Sequence, residues 1–224
     1  MYKFKIDNII FDLDGTLIDS AGDIIHCLKK AYFSIPEYSN VEISSAFIGP
    51  PLNELIKKIT PDITEEQTQI VTKEFRNCYD NSSFSKTILN DGVYKLIQDL
   101  KHLNIKIFIA TNKPILVTKK ILTNLKIDVF DDVVSLDALA GKKMNKTEMI
   151  SYIIKKWNLH MDTTLMVGDD ASDIIAAHNN DMSAVAILDG YGNANTINEA
   201  KPLYVLNSIN DFNNLLTKYK RNIQ

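Results

Sequence analysis

Short apolar runs that each stop at polar residues are the feature of this 224-residue sequence that most restricts its fold. Four such runs occupy residues 8–11, 105–110, 164–167 and 183–187. Near-continuous apolar runs of this length are typical of strands that are buried on both faces, as in a parallel sheet. Segments with helical periodicity alternate with the runs, and these are residues 91–103, a helix opened by Pro114, residues 146–157 and residues 172–179. The alternation predicts an α/β fold with a doubly wound, Rossmann-like parallel sheet, closed by a strand at 203–206 and a helix at 211–219.

One connection is too long for a simple strand–helix–strand crossover. The stretch from Leu17 to Leu89 far exceeds the few loop residues and single helix that such a crossover needs. It carries helical periodicity at residues 23–33, 52–59 and 65–79. We therefore predict a small helical domain at residues 18–87, inserted into a core domain made of residues 1–17 and 88–224.

Composition and charge restrict the partners of the chain. Hydrophobic residues make up 45% and charged residues 24%, which is typical of an ordinary folded protein, and the net charge of -3 provides no large basic field for nucleic acid or anionic lipid. No apolar stretch is long enough to span a bilayer, and the first residues lead into a strand without a signal-peptide pattern. Cys27 and Cys78 lack a C-x-x-C spacing and are predicted to be free thiols. These features predict a cytoplasmic protein in a reducing compartment, with no nucleic-acid or membrane partner.

Two acidic residues follow the first apolar run. Strand alternation points Asp12 and Asp14 to the same side, and Gly15 allows the chain to turn sharply as it leaves the sheet. Open α/β sheets bind ligands at the carboxyl ends of their strands. An exposed turn would explain Gly15, but it would not explain two like charges held so close together. The pattern therefore indicates a functional site.

Polar residues also follow two other predicted strands. Thr111 and Asn112 end the second run, although a Thr-Asn pair before a proline-started helix is by itself more typical of a helix cap. Asp169 and Asp170 end the third run, and Asp173 follows in the next helix. Acids also cap helices well, but two adjacent acids at the end of a buried strand favour a metal site.

In order along the chain, these segments resemble the four motifs of the haloacid dehalogenase superfamily. Asp12 to Leu17 matches the motif D-x-D-G-T-[LV], Thr111 matches the second motif, and Gly168 to Asp173 matches the acidic fourth motif G-D-x-x-x-D. The third motif is a lysine at a helix start. An insertion between the first and second motifs resembles the type 1 cap subgroup, within which residues 48–52 and 190–192 resemble phosphoglycolate phosphatase-like and 5'-nucleotidase-like members.

The resemblance implies a Mg²⁺-dependent phosphatase that acts on a small phosphorylated metabolite. Asp12 would be the nucleophile that forms an aspartyl-phosphate, and Asp14 would be the general acid and base. The implied metal-site residues are Asp12, Asp14 through its backbone carbonyl, Asp169, Asp170 and Asp173. The implied phosphate-binding or substrate-binding residues are Asp12, Gly15, Thr16, Thr111, Asn112, Lys146, and Gly49 and Pro50 of the cap.

Several alternatives stay open at the level of sequence. Lys142, Lys143 and Lys146 all lie before or at the predicted helix start, and we assign the third motif to Lys146 because it best matches family members with lysine at that position. Phosphoglycolate, a nucleoside monophosphate and a sugar phosphate are all compatible substrates. A phosphomutase, an inorganic pyrophosphatase and a non-enzymatic phospho-acceptor domain are the alternative functions. The sequence is compatible with a monomer or a homodimer.

Overall fold

The chain divides into two compact units in the computed structural model, which describes residues 5–139 and 142–221. The core unit comprises residues 1–18 and 89–224, and the inserted unit comprises residues 19–88. The sequence-based boundaries lie one residue earlier at both junctions. No helix in the described part of the chain has the length and apolar character needed to cross a membrane.

The core unit is built on a parallel sheet. In chain order the strands of the protein are β1 (Asn8–Phe11), β2 (Ile18–Asp19), β3 (Ile88–Leu89), β4 (Lys106–Thr111), β5 (Asp132–Ser135), β6 (Thr164–Gly168), β7 (Ser183–Ile187) and β8 (Tyr204–Leu206). Six of them form one sheet in the order β5-β4-β1-β6-β7-β8, and every pairing in it is parallel. The strands β2 and β3 form a separate two-stranded sheet. The predicted α/β fold with a doubly wound parallel sheet is confirmed.

Helices fill the connections between the strands. They are α1 (Ala21–Tyr32), α2 (Leu52–Ile59), α3 (Glu65–Tyr79), α4 (Val93–His102), α5 (Ile115–Asn124), α6 (Lys146–Trp157), α7 (Ala171–His178), α8 (Ala194–Glu199) and α9 (Ile209–Arg221). The predicted helices at 52–59, 65–79 and 146–157 have the observed bounds, and the other predicted helices agree to within about two residues. Of these helices, α1, α2 and α3 belong to the inserted unit.

Burial on both faces explains the apolar character of the central strands. Residues 9–11 of β1 have no exposed surface, and Phe108, Met149 and Met166 pack in the same core cluster on one side of the sheet. In the observed register Phe11 is paired with Ile109 on one side and with Val167 on the other. The residues that follow these three strands therefore emerge at nearly the same level.

The strands β2, β3 and β5 and the helix α8 were not predicted from the sequence. β5 has only four residues and begins with Asp132, so it lacks the apolar run that identified the other strands of the six-stranded sheet. The carboxylate of Asp132 is held at this position by the indole N–H of Trp157, at 2.9 Å, and by the ammonium group of Lys156, at 2.7 Å. These two contacts lower the pKa of Asp132, although burial alone would raise it. A polar residue can therefore begin an edge strand when tertiary partners satisfy it.

Polar contacts inside the inserted unit join its first helix to its last residues. The buried carboxylate of Asp23, near the start of α1, accepts hydrogen bonds from the backbone N–H of Lys86 at 3.0 Å and from the hydroxyl of Thr87 at 2.8 Å. The hydroxyl of the buried Tyr32 donates to the carbonyl of Ile56 at 3.1 Å. These contacts satisfy polar groups that would otherwise be costly to bury.

The two cysteines form a disulfide, so the expectation of free thiols is wrong. Cys27 on α1 and Cys78 on α3 are bonded, with their Cα atoms 5.5 Å apart. The two cysteines are 51 residues apart in sequence, and their pairing depends on how α1 and α3 pack against each other. A rule based on local cysteine spacing gives no information about the distance in space between two packed helices. The inference of a reducing compartment, which rested on unpaired cysteines, loses its basis.

Candidate active site

The ends of three neighbouring strands bring together the first group of predicted site residues. Asp12 follows β1, Thr111 ends β4 and Asp169 follows β6, and β1 lies between the other two strands. The backbone N–H of Asp12 donates to the carbonyl of Val167 at 2.9 Å, which continues the ladder past the end of β1. The site therefore lies at the topological switch point of the sheet, beside β1 and β6, from which the chain continues toward opposite edges. Open α/β folds usually bind their ligands at this point.

Three carboxylates form the centre of this region. One oxygen from each of Asp12, Asp169 and Asp173 lies within 4.8 Å of the others. All three residues are buried, with exposed fractions of 9%, 3% and 1% respectively. Like charges at this separation repel strongly in a poorly solvated site, so the cluster needs positive charge or bound protons.

Lys146 supplies positive charge to the cluster. Its Nζ lies 2.5 Å from Oδ1 of Asp12, 3.0 Å from Oδ1 of Asp173 and 2.9 Å from the carbonyl oxygen of Ala110. Asn145 caps the N-terminus of α6 in a capping box with Glu148, and this sets the first turn of the helix from which Lys146 projects. The ammonium group therefore joins the nucleophile candidate, β4 and α7.

The other two lysines that the sequence left open lie outside this cluster. Lys142 is exposed and pairs with Glu148 at 2.6 Å, and Lys143 is also exposed. Both have the usual environment of a surface lysine, whereas Lys146 is buried. The structure thus brings the lysine that the sequence analysis chose into contact with the carboxylates.

Burial and mutual repulsion shift the protonation equilibria of the site. Burial raises the pKa of Asp12 well above its usual value, Lys146 opposes this shift, and the charges of Asp173 and Asp169 add to it. The pKa of Asp169 is raised to about 7, first by burial and then by the charge of Asp173. Burial alone would lower the pKa of Lys146, but the neighbouring Asp12 and Asp173 outweigh it and raise the pKa. Lys146 is therefore a firmly protonated cation.

The carboxylate of Asp169 is held by contacts on both oxygens. Its Oδ1 accepts from the hydroxyl of Thr16 at 2.8 Å, and its Oδ2 accepts from the backbone N–H of Tyr191 at 2.8 Å. Gly15 has a φ of +87°, and a Cβ atom at Gly15 or at Gly190 would collide with this carboxylate. Glycine is required at both positions so that the chain can approach Asp169.

Asp170 has a different role from its two acidic neighbours. It precedes α7 as the N-cap residue, and its Oδ1 accepts from the backbone N–H of Ser172 at 2.9 Å. Its own backbone N–H donates to Oδ2 of Asp173 at 3.2 Å. The structure does not bring the Asp170 side chain into the carboxylate cluster, because its carboxylate is directed at the helix start.

Asp14 also lies outside the three-carboxylate cluster, and its partner is a lysine that the sequence analysis did not assign. Oδ1 of Asp14 lies 3.0 Å from Nζ of Lys113, whose side chain is only 5% exposed. Lys113 is the second residue after Thr111, and it directly follows Asn112, which the sequence had already indicated as a candidate phosphate-binding residue. That position is the signal that could have identified it.

The remaining predicted residues lie at two separate places. In the core unit Thr111 is buried and its hydroxyl oxygen accepts from the backbone N–H of Lys113 at 3.1 Å, while Asn112 is half-buried beside it. Asn90, which the sequence analysis did not identify, donates to the carbonyls of Gly15 and Thr16 at 3.2 and 3.0 Å and so holds the loop after β1. Gly49 and Pro50 lie in the inserted unit, and their role stays a prediction.

A buried acid at the end of β1, a lysine in contact with that acid and further acids after β6 form a candidate active site at the carboxyl edge of a doubly wound sheet. The family model for haloacid dehalogenase-like hydrolases matches residues 9–187. Over 95% of its length the chain is 30% identical to a phosphoglycolate phosphatase from Colwellia psychrerythraea, of which it covers 96%. It is 24% identical to a 5'-nucleotidase from Pseudomonas aeruginosa, with 89% of this chain and 90% of that protein covered.

Solved structures agree with these sequence likenesses. A predicted phosphatase from Clostridium acetobutylicum superimposes with a TM-score of 0.84 and 27% identity, over 96% of this chain and 99% of that one. The chain therefore belongs to the haloacid dehalogenase-like hydrolase family. It is an enzyme of the phosphatase group within that family and resembles the phosphoglycolate phosphatases.

Proposed function

We propose that the protein is a Mg²⁺-dependent phosphatase that hydrolyses a small phosphate monoester through an aspartyl-phosphate on Asp12. The observation that carries the proposal is the buried cluster of Asp12, Asp169 and Asp173, with Lys146 in contact with two of the three carboxylates. A phosphate dianion that approaches an anionic nucleophile needs nearby positive charge, because phosphoryl transfer depends mainly on positioning and charge stabilisation.

The donor set of the cluster fits magnesium. Mg²⁺ prefers hard oxygen ligands and retains several of its waters, so a few carboxylates are enough to hold it. Oδ1 of Asp173 is buried and accepts no well-directed hydrogen bond from the described residues, although Lys146 lies 3.0 Å away, so this oxygen has capacity for a cation or an ordered water. We propose that Asp12, the backbone carbonyl of Asp14, and Asp169 hold the ion, that Asp173 orients waters or ligands around it, and that Asp170 contributes by holding Asp173 through its backbone N–H. The bound ion would supply charge neutralisation between nucleophile and phosphate.

The chain's own residues account for the steps of the reaction. A carboxylate oxygen of Asp12 attacks phosphorus in line with the leaving oxygen and becomes phosphorylated. Asp14 gives a proton to the leaving oxygen and then takes one from the water that hydrolyses the aspartyl-phosphate, which regenerates Asp12. We assign the binding of phosphate oxygens to Thr111, Asn112 and Lys146, and to the loop at Gly15 and Thr16.

The substrate is proposed as a class of molecule. Relatives of this chain are a phosphoglycolate phosphatase and a 5'-nucleotidase, which supports a small phosphorylated metabolite such as phosphoglycolate or a nucleoside monophosphate. A sugar phosphate belongs to the same class. We propose that the inserted unit contributes to the choice among them through Gly49 and Pro50, in line with the resemblance of residues 48–52 to the corresponding segment of such enzymes.

A screen of the purified protein against phosphorylated metabolites, with and without Mg²⁺, tests the proposal. We expect release of inorganic phosphate that needs Mg²⁺, stops on chelation and is lost in Asp12→Asn. Lys95→Met is the matched surface control, since Lys95 pairs only with Asp99 on the exposed face of α4 in the part of the chain described. Wild-type turnover in Asp12→Asn would disprove the nucleophile assignment. Phosphate transfer to a second sugar hydroxyl instead of water would identify a mutase.

A further inference from the structure

The mechanism proposed above uses Asp14 but gives no role to Lys113, the lysine that forms an ion pair with it. The Lys113 side chain is 5% exposed and that of Asp14 is 15% exposed, so the pair is largely removed from water. Burying a lysine is unfavourable unless its charge is compensated. Asp14 therefore compensates the charge of Lys113, and the ammonium group in turn helps to fix the position of the Asp14 carboxylate.

Ion pairs on the surface of the core unit are more exposed than this one, which shares its burial with the pairs of Lys146 to Asp12 and Asp173. Lys95 pairs with Asp99 with its side chain 66% exposed, and Lys5 pairs with Asp7 with its side chain 73% exposed. Exposed pairs of this kind contribute little and do not fix a geometry, because solvent screens them and their side chains are mobile. The Lys113–Asp14 pair is largely buried, and Asp14 follows the proposed nucleophile Asp12 by two residues.

The backbone on the lysine side of the pair is fixed. The N–H of Lys113 donates to the hydroxyl oxygen of Thr111 at 3.1 Å, and its carbonyl accepts from the hydroxyl of Thr118 at 3.4 Å. Lys113 is therefore attached to the end of β4 and to the first turn of α5. A rigid backbone on this side allows the ammonium group to hold its partner in one orientation.

The chain segment that carries Asp14 is also well defined. Asp14 forms a β-bridge with Ile18, and the neighbouring N–H of Gly15 donates to the carbonyl of Ile18 at 2.8 Å. With both backbones held, the remaining freedom is the rotation of the Asp14 side chain. The contact between Nζ of Lys113 and Oδ1 of Asp14 restricts that rotation.

We propose that Lys113 is a positioning residue that holds Oδ1 of Asp14, so that the other carboxyl oxygen, which carries the proton in the acid form of Asp14, can give that proton to the leaving oxygen. The inference rests on the proposed function and deepens it. Lys113 then acts through Asp14, so its removal affects the reaction only where Asp14 is needed. Proton transfer to the leaving oxygen matters for an alkyl phosphate, whose leaving group is a strongly basic alkoxide, and matters much less for p-nitrophenyl phosphate, whose leaving group is a weak base.

The test compares kcat/KM for these two substrates in four proteins: wild type, Lys113→Met, Asp14→Asn and the double variant. Lys113→Met removes the charge but keeps the length of the side chain. We expect it to lower kcat/KM for the alkyl phosphate by about 10²-fold and to lower kcat/KM for p-nitrophenyl phosphate by less than about tenfold. We expect the double variant to be as active as Asp14→Asn within about twofold, since residues that act as a unit are not additive.

Controls separate positioning from damage to the fold. Lys95→Met should match the wild type with both substrates, and the melting curve of each variant reports its folding. Lys113→Arg keeps the charge and should recover part of the activity toward the alkyl phosphate. If Lys113→Met does not fold, the same comparison of the two substrates is made with Lys113→Arg, whose displaced charge should still impair the alkyl phosphate more.

Each result supports or overturns the proposal. Equal losses with both substrates, or losses in the double variant that multiply those of the two single variants, would overturn it and would indicate that Lys113 binds the phosphate itself. Wild-type activity in Lys113→Met together with a large loss in Asp14→Asn would overturn the role of Lys113 alone. Wild-type activity toward the alkyl phosphate in Asp14→Asn would instead overturn the proposed mechanism on which the inference rests.

Discussion

Reduction of the Cys27–Cys78 disulfide should destabilise the inserted unit selectively. The bond closes a loop across a sequence separation of 51 residues. Loop-closure entropy for such a separation corresponds to about 4 kcal/mol at 25 °C, which is an upper value because unfolded chains retain some structure. The equilibrium between closed and opened forms of this unit should therefore shift by up to about 10³-fold on reduction.

Amide hydrogen exchange, read by mass spectrometry on peptides, resolves where the destabilisation occurs. We expect faster exchange in α1 and α3 after treatment with a thiol reductant, and a much smaller change in β1 and β6. The only tryptophan of the chain, Trp157, lies on α6 in the core unit, so its fluorescence provides a separate readout of core unfolding. The urea midpoint from Trp157 fluorescence should move little.

A variant in which both cysteines are replaced by alanine provides the matched control. Its amide exchange should resemble that of the reduced wild-type protein, and the reductant should leave it unchanged. Two reactive thiols in the denatured, unreduced wild type would refute the disulfide. Exchange in α1 and α3 that accelerates by less than about tenfold on reduction would refute the entropic reasoning, even with the disulfide present.

Four further predictions concern the core unit. Lys146→Met should lower turnover by at least about 10²-fold and destabilise the fold at pH 7 by about 3 kcal/mol, because Asp12 and Asp173 lose their cation. Steady-state kinetics measures the first effect and urea unfolding measures the second. Lys146→Arg keeps the charge and should lose less activity and less stability. Since Asp169 has a pKa of about 7 without metal, protons should compete with Mg²⁺, so calorimetric titration should show the apparent Mg²⁺ affinity falling about tenfold per pH unit below 7 and levelling off above it. Because the pKa of Asp169 is raised in the native state, the native protein holds a proton between about pH 4 and 7 that the unfolded chain has lost. The stability of the metal-free protein should therefore fall as pH rises from about 4 through 7. A urea midpoint that stays constant over that range would contradict this direction. Gly15→Ala should weaken Mg²⁺ binding at least about tenfold and destabilise the fold by about 1–3 kcal/mol through backbone strain, and unchanged binding would show that its Cβ does not displace Asp169.

The sequence predicted where several candidate site residues would lie, because their positions follow from the sheet. Asp12, Thr111 and Asp169 each end or follow a strand with a clear apolar run, and parallel strands place their carboxyl ends at one edge. Lys146 was predicted at a helix start from its match to the family motif, and α6 does begin at Lys146, after a capping box formed by Asn145 and Glu148. Local pattern was enough where secondary structure alone determines which residues meet.

The sequence did not predict contacts that depend on how elements pack. The order of acids after β6 does not show that Asp173 turns toward Lys146 while Asp170 caps α7. The pairing of Lys113 with Asp14 joins two loops that are about 100 residues apart along the chain, and the disulfide joins two helices. Distances of this kind are fixed by tertiary packing, and a single sequence carries no direct record of them.

The three contacts of the Lys146 ammonium group have a consequence for how this enzyme can diversify. One side chain fixes the relative positions of the strand that leads to the proposed nucleophile, the neighbouring strand and the helix after β6, so the candidate centre is organised by the fold itself and before any substrate arrives. New substrate preferences can then arise by mutation elsewhere in the chain without rebuilding the reactive groups. Selection on this protein should therefore permit rapid change outside the centre and very little change within it.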